Sequence, residues 1–141
     1  MSSSAGSPVV SESLRPIEKV RLACRVWSVY ARVRLALAHE PLPALVARLG
    51  RPPRRAPAQP PDRLARAVDR SLRLGRRQPR CLVSALVLFR LLREQGDPAE
   101  LVIGLPEGAR TKDAHAWVEL GARDVGPPPG RGANRELARY G

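Results

Sequence analysis

The sequence predicts an α+β fold in which a buried helix packs on a small antiparallel sheet, preceded by a helical N-terminal region. Three observations carry that reading. Apolar residues recur at helical spacing through much of the first half of the chain. The stretch PRCLVSALVLFRLLREQG, residues 79–96, is apolar at 82, 83, 85–89, 91 and 92, almost right round a helix, as in one buried inside a domain. AHAWVEL, residues 114–120, alternates with the period of a half-buried strand.

Length and composition set the frame. A chain of 141 residues fits one domain, and 43% hydrophobic residues suffice for a core. Aromatics are only 4%, so that core is built mostly of Leu, Val and Ala. The formal charge is +12, and Lys19 and Lys112 are the only lysines. Enrichment in Arg, Ala and Pro also follows from GC-rich coding DNA. Arginine is spread along the whole chain with few aromatics to stack bases, which argues against nucleic-acid binding. An acidic peptide or partner protein suits the same charge. Two cysteines make no disulfide framework, and MSSSAGSPVVSESLRP has no apolar core of a signal peptide. The greasiest stretches carry arginines, so no membrane span is expected. These features predict a cytoplasmic protein with free thiols.

Along the chain, residues 1–13 are small and polar, a disordered tail. Residues 14–50 form the helical region. Ile17, Val20, Trp27, Tyr30, Val33 and Leu37, with Leu22, Cys24 and Val29, give a first amphipathic helix to about Ala38. Cys24 within it is expected to be a small buried thiol. His39 falls in the following turn, as a surface or capping residue. PLPALVARLG, residues 41–50, is a short helix stopped by Gly50. RPPRRAPAQPPD, residues 51–62, has five prolines in twelve residues and reads as an extended linker.

Residues 63–141 form the second unit. Asp62 reads as an N-cap for a helix whose Leu64, Val68 and Leu72 recur every four residues, ending near Gly75. The buried helix follows, stopped by Gly96 and Pro98. AELVIGLP is a short strand and EGARTKD a loop. In AHAWVEL, His115, Trp117 and Glu119 face one way and Ala116, Val118 and Leu120 the other. GARD offers a turn, and VGPPPG ends any partner strand early.

Cys81 stands at the head of the buried helix. There unpaired backbone N–H groups and the helix dipole stabilise a thiolate, with Arg80 adjacent, and the same N–H groups can bind an oxyanion. A cysteine nucleophile needs a base, and His115 is the one histidine in the second half. Spacing alone leaves two readings open: a Cys/His acyl-transfer pair, or a core thiol and a structural imidazole.

The surrounding words carry more. Cys81-Leu82 opening a Leu-rich helix, Gly96, Val102-Ile103-Gly104 and His-Ala-Trp-Val-Glu at 115–119 resemble the leader peptidases of lasso-peptide biosynthesis. These are transglutaminase-like cysteine proteases, a group that includes the C-terminal domain of the microcin-processing protein. The match is most specific over residues 64–126, and PLPALVARLG is also similar. The resemblance implies a transglutaminase-like, papain-like core with residues 63–141 as the catalytic unit. It implies Cys81 as nucleophile, His115 as general base, and no metal or cofactor.

The family's third member is an Asp on the strand after the histidine, for which the resemblance offers Asp124. A two-residue turn at Gly121-Ala122 pairs Glu119 with Asp124 and sets His115 opposite Pro128, about 13 Å along the strand. An irregular turn, Asn134, or water are the alternatives for orienting the ring. Asp113 reads as a solvated loop-end carboxylate. Trp117 is a groove wall or a core aromatic, and Glu119 a partner for an arginine.

By the same resemblance, the expected activity is removal of a leader from a precursor peptide, by a stand-alone peptidase. A separate leader-recognition protein and the pathway's ATP-dependent cyclase are its expected partners. Another small-peptide amidase or transglutaminase, or a catalytically decayed binding module, are the alternatives.

Overall fold

The structure, a computed structural model, describes residues 15–51, 59–73, 81–105, 114–121, 123–126 and 134–141. Four helices precede four strands: α1 (Pro16–Leu37), α2 (Leu42–Leu49), α3 (Pro61–Arg73), α4 (Cys81–Glu94), β1 (Ala99–Leu105), β2 (His115–Leu120), β3 (Arg123–Gly126) and β4 (Arg135–Tyr140). The tail at 1–13 and the loop EGARTKD lie outside the described residues, as does most of the proline linker.

Helix α1 begins with Pro16, whose missing N–H is no loss in the first turn, and carries Glu18 at its start and Arg34 at its end, both favourable to the dipole. It buries Leu22, Val26, Val29 and Val33. Two expectations fail here. Cys24 is exposed rather than buried, and Ile17, Val20 and Trp27 are also exposed. The physical reason is that α1 has two apolar faces, and the periodicity mixed them. The one that packs on α3 and α4 is the charge-free aliphatic row 22, 26, 29, 33.

Helix α2 ends at Gly50 with right-handed φ −75, so the stop does not use glycine's left-handed freedom. What Gly50 provides is clearance: an added Cβ would lie 3.5 Å from the Phe89 ring and 3.2 Å from the Val46 carbonyl. Helix α3 starts at Pro61, one residue before the expected cap, because proline's fixed φ suits the first helical position. Asp62 therefore lies in the first turn, not at the cap, and pairs with Arg123 at 3.5 Å. Leu64, Val68 and Leu72 are buried, as their spacing requires.

Helix α4 is the centre of the molecule. Leu86, Val87, Leu88, Leu91 and Leu92 are each fully buried, each contributing roughly 1.5–3 kcal/mol over exposure. The helix stops where Gly96 takes φ +90, a conformation open to glycine. Helices α1 to α3 and the sheet all pack on α4 into one apolar cluster. Residues of the 14–50 region and of the 63–141 region thus share a single core. Glu94 ties the helices further, accepting from Arg25 of α1 at 2.8 Å and from Arg90 at 3.0 Å.

The sheet is antiparallel with order β3-β2-β1-β4. Ala99, Leu101, Ala116 and Val118 belong to the helix-packed core. Alternation therefore turns Val102 and Gly104 of β1, and His115, Trp117 and Glu119 of β2, to the opposite face. That division of β2 matches the sequence reading. Strand β4 has no counterpart in the sequence reading. RELARY is polar and made of good helix formers, and its residues are mostly exposed on a sheet edge.

Candidate active site

Cys81 is the first residue of α4 and is half-buried. The chain folds so locally because nine of the next eleven residues are apolar and close the helix around the core. The first-turn N–H groups of a helix have no partner within it, and those of α4 lie in the turn that Cys81 opens. The thiol donates to the carbonyl of Ala114, 3.8 Å away. Ala114 immediately precedes His115, so the thiol lies against the backbone at the N-terminal end of β2, one residue before the base candidate. Arg80 lies outside the described residues.

His115 is half-buried at the first position of β2. Its imidazole stacks on Trp117, with centroids 6.0 Å apart and planes 27° from parallel. Trp117 is 1% exposed, on the face away from α4. It is a core aromatic, but of a second, smaller apolar layer with Val102 rather than of the helix-packed core. Its ring lies against Gly104, the register partner of His115. A Cβ on Gly104 would come within 2.8 Å of the indole and 2.7 Å of the Arg135 carbonyl.

The indole N–H donates to Glu119 at 2.9 Å, and Arg139 of β4 donates to the other carboxylate oxygen of Glu119 at 3.1 Å. Arg139 also bonds Glu136 at 2.7 Å and Glu100 at 3.0 Å. Hydrogen bonding to Glu136 is the largest influence on this guanidinium and raises its pKa; partial burial opposes, and bonding to Glu119 adds to the rise. The buried carboxylate of Glu119 is thereby matched by a permanent cation. The expected arginine partner for Glu119 is present. A continuous series runs from Arg139 through Glu119 and Trp117 to the face of His115.

Asp124 shares the sheet face of Glu119, its Cα partner. Strands β2 and β3 do pair Glu119 with Asp124 and Leu120 with Arg123; Ala122 lies outside the described residues. Asp124 is thus four residues along from His115, about 13 Å at strand rise, and its Oδ1 accepts the Gly126 N–H at 2.8 Å. A bulge then sets Val118 against Gly126, where β3 ends. Pro127, Pro128 and Asp113 lie outside the described residues. Asn134 is described, one residue before β4.

Two contributors to the site went unread in the sequence. Arg139 is one arginine among many, with no local pattern to mark it. Gly104 did carry a signal, because a glycine inside a strand marks a close approach of neighbouring groups.

A protein-family model described as the transglutaminase-like superfamily matches residues 22–138. No curated protein and no solved structure matches the chain.

Proposed function

Because the chain belongs to the transglutaminase-like superfamily, we propose that it is a cysteine endopeptidase that removes the leader from a ribosomally made lasso-peptide precursor. The observation that carries the chemistry is the meeting of the Cys81 thiol with the residue before His115, at the start of a helix and of a strand. The substrate class rests on the Cys-Leu, Val-Ile-Gly and His-Ala-Trp-Val-Glu words.

In this mechanism His115 takes the Cys81 proton and the thiolate attacks the scissile carbonyl. The first-turn N–H groups of α4 hold the resulting oxyanion. The tetrahedral intermediate expels the amine, which receives the proton from His115. Water, activated by the same imidazole, then attacks the thioester and releases the acid and the free thiol. Asp124 shares the sheet face of His115 but stands about 13 Å along it, beyond direct hydrogen-bond reach of the ring, so any influence it has on the imidazole is indirect; Asp124→Asn tests it. The precursor is captured by a separate leader-recognition protein, and the cleaved core passes to the ATP-dependent cyclase.

The test is mass spectrometry of the precursor incubated with this protein and the leader-recognition protein, with Cys81→Ala and His115→Ala in parallel. One cut at the leader–core junction, lost in both variants, supports the proposal. Full cleavage by His115→Ala overturns the mechanism. An intact precursor throughout, with the leader shown bound, overturns the substrate. Among the described residues no helix is long and apolar enough to cross a membrane; the reaction proposed here is a cytoplasmic one.

A further inference from the structure

Helix α1 carries a second apolar face that no described element packs against. Successive residues of a helix step by about 100°. On that count Ile17, Val20, Cys24, Trp27, Ala31 and Leu35 fall within an arc of about 80°, opposite the buried Leu22, Val26, Val29 and Val33. Ile17 is 58% exposed, Val20 61%, Leu35 66% and Trp27 37%, and Cys24 and Ala31 are exposed with them. From Ile17 to Leu35 the row runs about 27 Å at helical rise. Single exposed apolar residues are ordinary on a protein surface, but a continuous row of five turns is the mark of an interaction site.

The borders of the row say what covers it. Arg34 lines one side, and Arg21 and Arg32 the other, all exposed. Arg34 is held in place over the Tyr30 ring, donating to its hydroxyl at 3.0 Å, and Tyr30 in turn meets Trp27 edge-on at 5.2 Å. The one acidic residue of the helix, Glu18, lies about 140° from the centre of the row. A second copy of this chain would bring arginine borders against arginine borders, within a molecule whose net charge is already +12. Like charges so placed oppose association.

We propose that this face of α1 docks an amphipathic helix of an acidic partner protein, its apolar residues against Ile17, Val20, Trp27 and Leu35 and its carboxylates against Arg21, Arg32 and Arg34. The mode is helix against helix, with apolar anchors on both strips and charge setting the choice of partner. It requires nothing of Cys81 or His115. It stands or falls apart from the peptidase reading.

Cys24, in the middle of the row, reports on it. In Cys81→Ala it is the only thiol. The measurement is its iodoacetamide alkylation rate at pH 8.5, with two synthetic twenty-residue amphipathic helices added in turn. One carries leucines on one face and glutamates elsewhere; the other replaces each glutamate by lysine. The glutamate peptide is expected to slow alkylation at least tenfold at saturation, and the lysine peptide to leave it unchanged. Val20→Glu with Leu35→Glu, at positions too exposed to affect folding, is expected to abolish the protection while circular dichroism stays the same. Equal protection by both peptides, or by neither, overturns the proposal. Protection that rises with protein concentration alone assigns the face to a second copy and overturns it too. So does slow alkylation at every dilution without peptide, which would mean that the chain covers the face itself.

Discussion

The indole N–H of Trp117 donates to the carboxylate of Glu119 at 2.9 Å, between two residues of one strand that are both almost fully buried. Residues two apart on a strand point the same way, so a long acceptor can reach back along its own strand to the indole. The same carboxylate then receives Arg139 from two strands away. A buried carboxylate that lost either donor would be left with an unmet charge.

Glu119→Leu is expected to destabilise the fold by about 2–4 kcal/mol, because it strands the indole N–H and one edge of Arg139. The lower part of that range reflects the partial exposure of the guanidinium. Glu119→Gln retains an acceptor for the indole and is expected to cost about 1 kcal/mol. Urea midpoints at unchanged m give both values. Equal losses from the two variants would show that the indole bond contributes little.

Gly104→Ala puts a methyl group 2.7 Å from the Arg135 carbonyl and 2.8 Å from the Trp117 ring. The backbone on one side cannot yield cheaply, so the indole must move. The expected outcome is a loss of about 1–3 kcal/mol with a change in tryptophan fluorescence. Since the imidazole stacks on that ring, the His115 ring-proton resonances should shift as well. Unchanged resonances would mean that Trp117 does not position the imidazole.

The two thiols offer a comparison within one molecule. Cys24 lies mid-helix and exposed, whereas Cys81 is half-buried and opens α4, at the positive end of the helix dipole. At pH 6.5 Cys81 is expected to react with iodoacetamide at least tenfold faster than Cys24, although it is the less exposed. His115→Ala should reduce that advantage. A Cys81 slower than Cys24 at pH 6.5 would favour a fold kept for binding without catalysis.

Leu86→Ala, at the fully buried centre of α4, is expected to cost about 2–5 kcal/mol. Leu35→Ala, 66% exposed, is expected to stay within about 0.5 kcal/mol. Because α1 to α4 share one core, thermal unfolding of both variants should remain a single transition. A separate early transition for the N-terminal helices would contradict that shared core.

How much of this was legible in the sequence differs by element. Helix α4 and strand β2 announce themselves, since an apolar surround and a strict alternation each admit one burial pattern. The turn after β2 could be registered to the residue, because glycine at 121 and a short connection allow few pairings. Helix α1 could be found but not oriented. A helix apolar on two sides does not say which side its neighbours will take, and the exposed Cys24 follows from that ambiguity. Strand β4 was invisible because an edge strand needs no apolar alternation. With it went Arg139, whose importance comes from a partner twenty residues away.

Strand order has one more outcome. β1, β2 and β3 succeed one another along the chain and can zip locally, but β4 joins β1 from across the whole meander and lies on the rim. Its amides are bonded on one side only, and its side chains are largely wet. Such a strand is the segment expected to open and exchange its amide hydrogens first, well below the cost of global unfolding. Each such opening withdraws Arg139 and leaves Glu119 charged beneath Trp117. The peptide rim of this sheet, far from Cys81 in fold order, thus sets how often the floor under the imidazole comes loose.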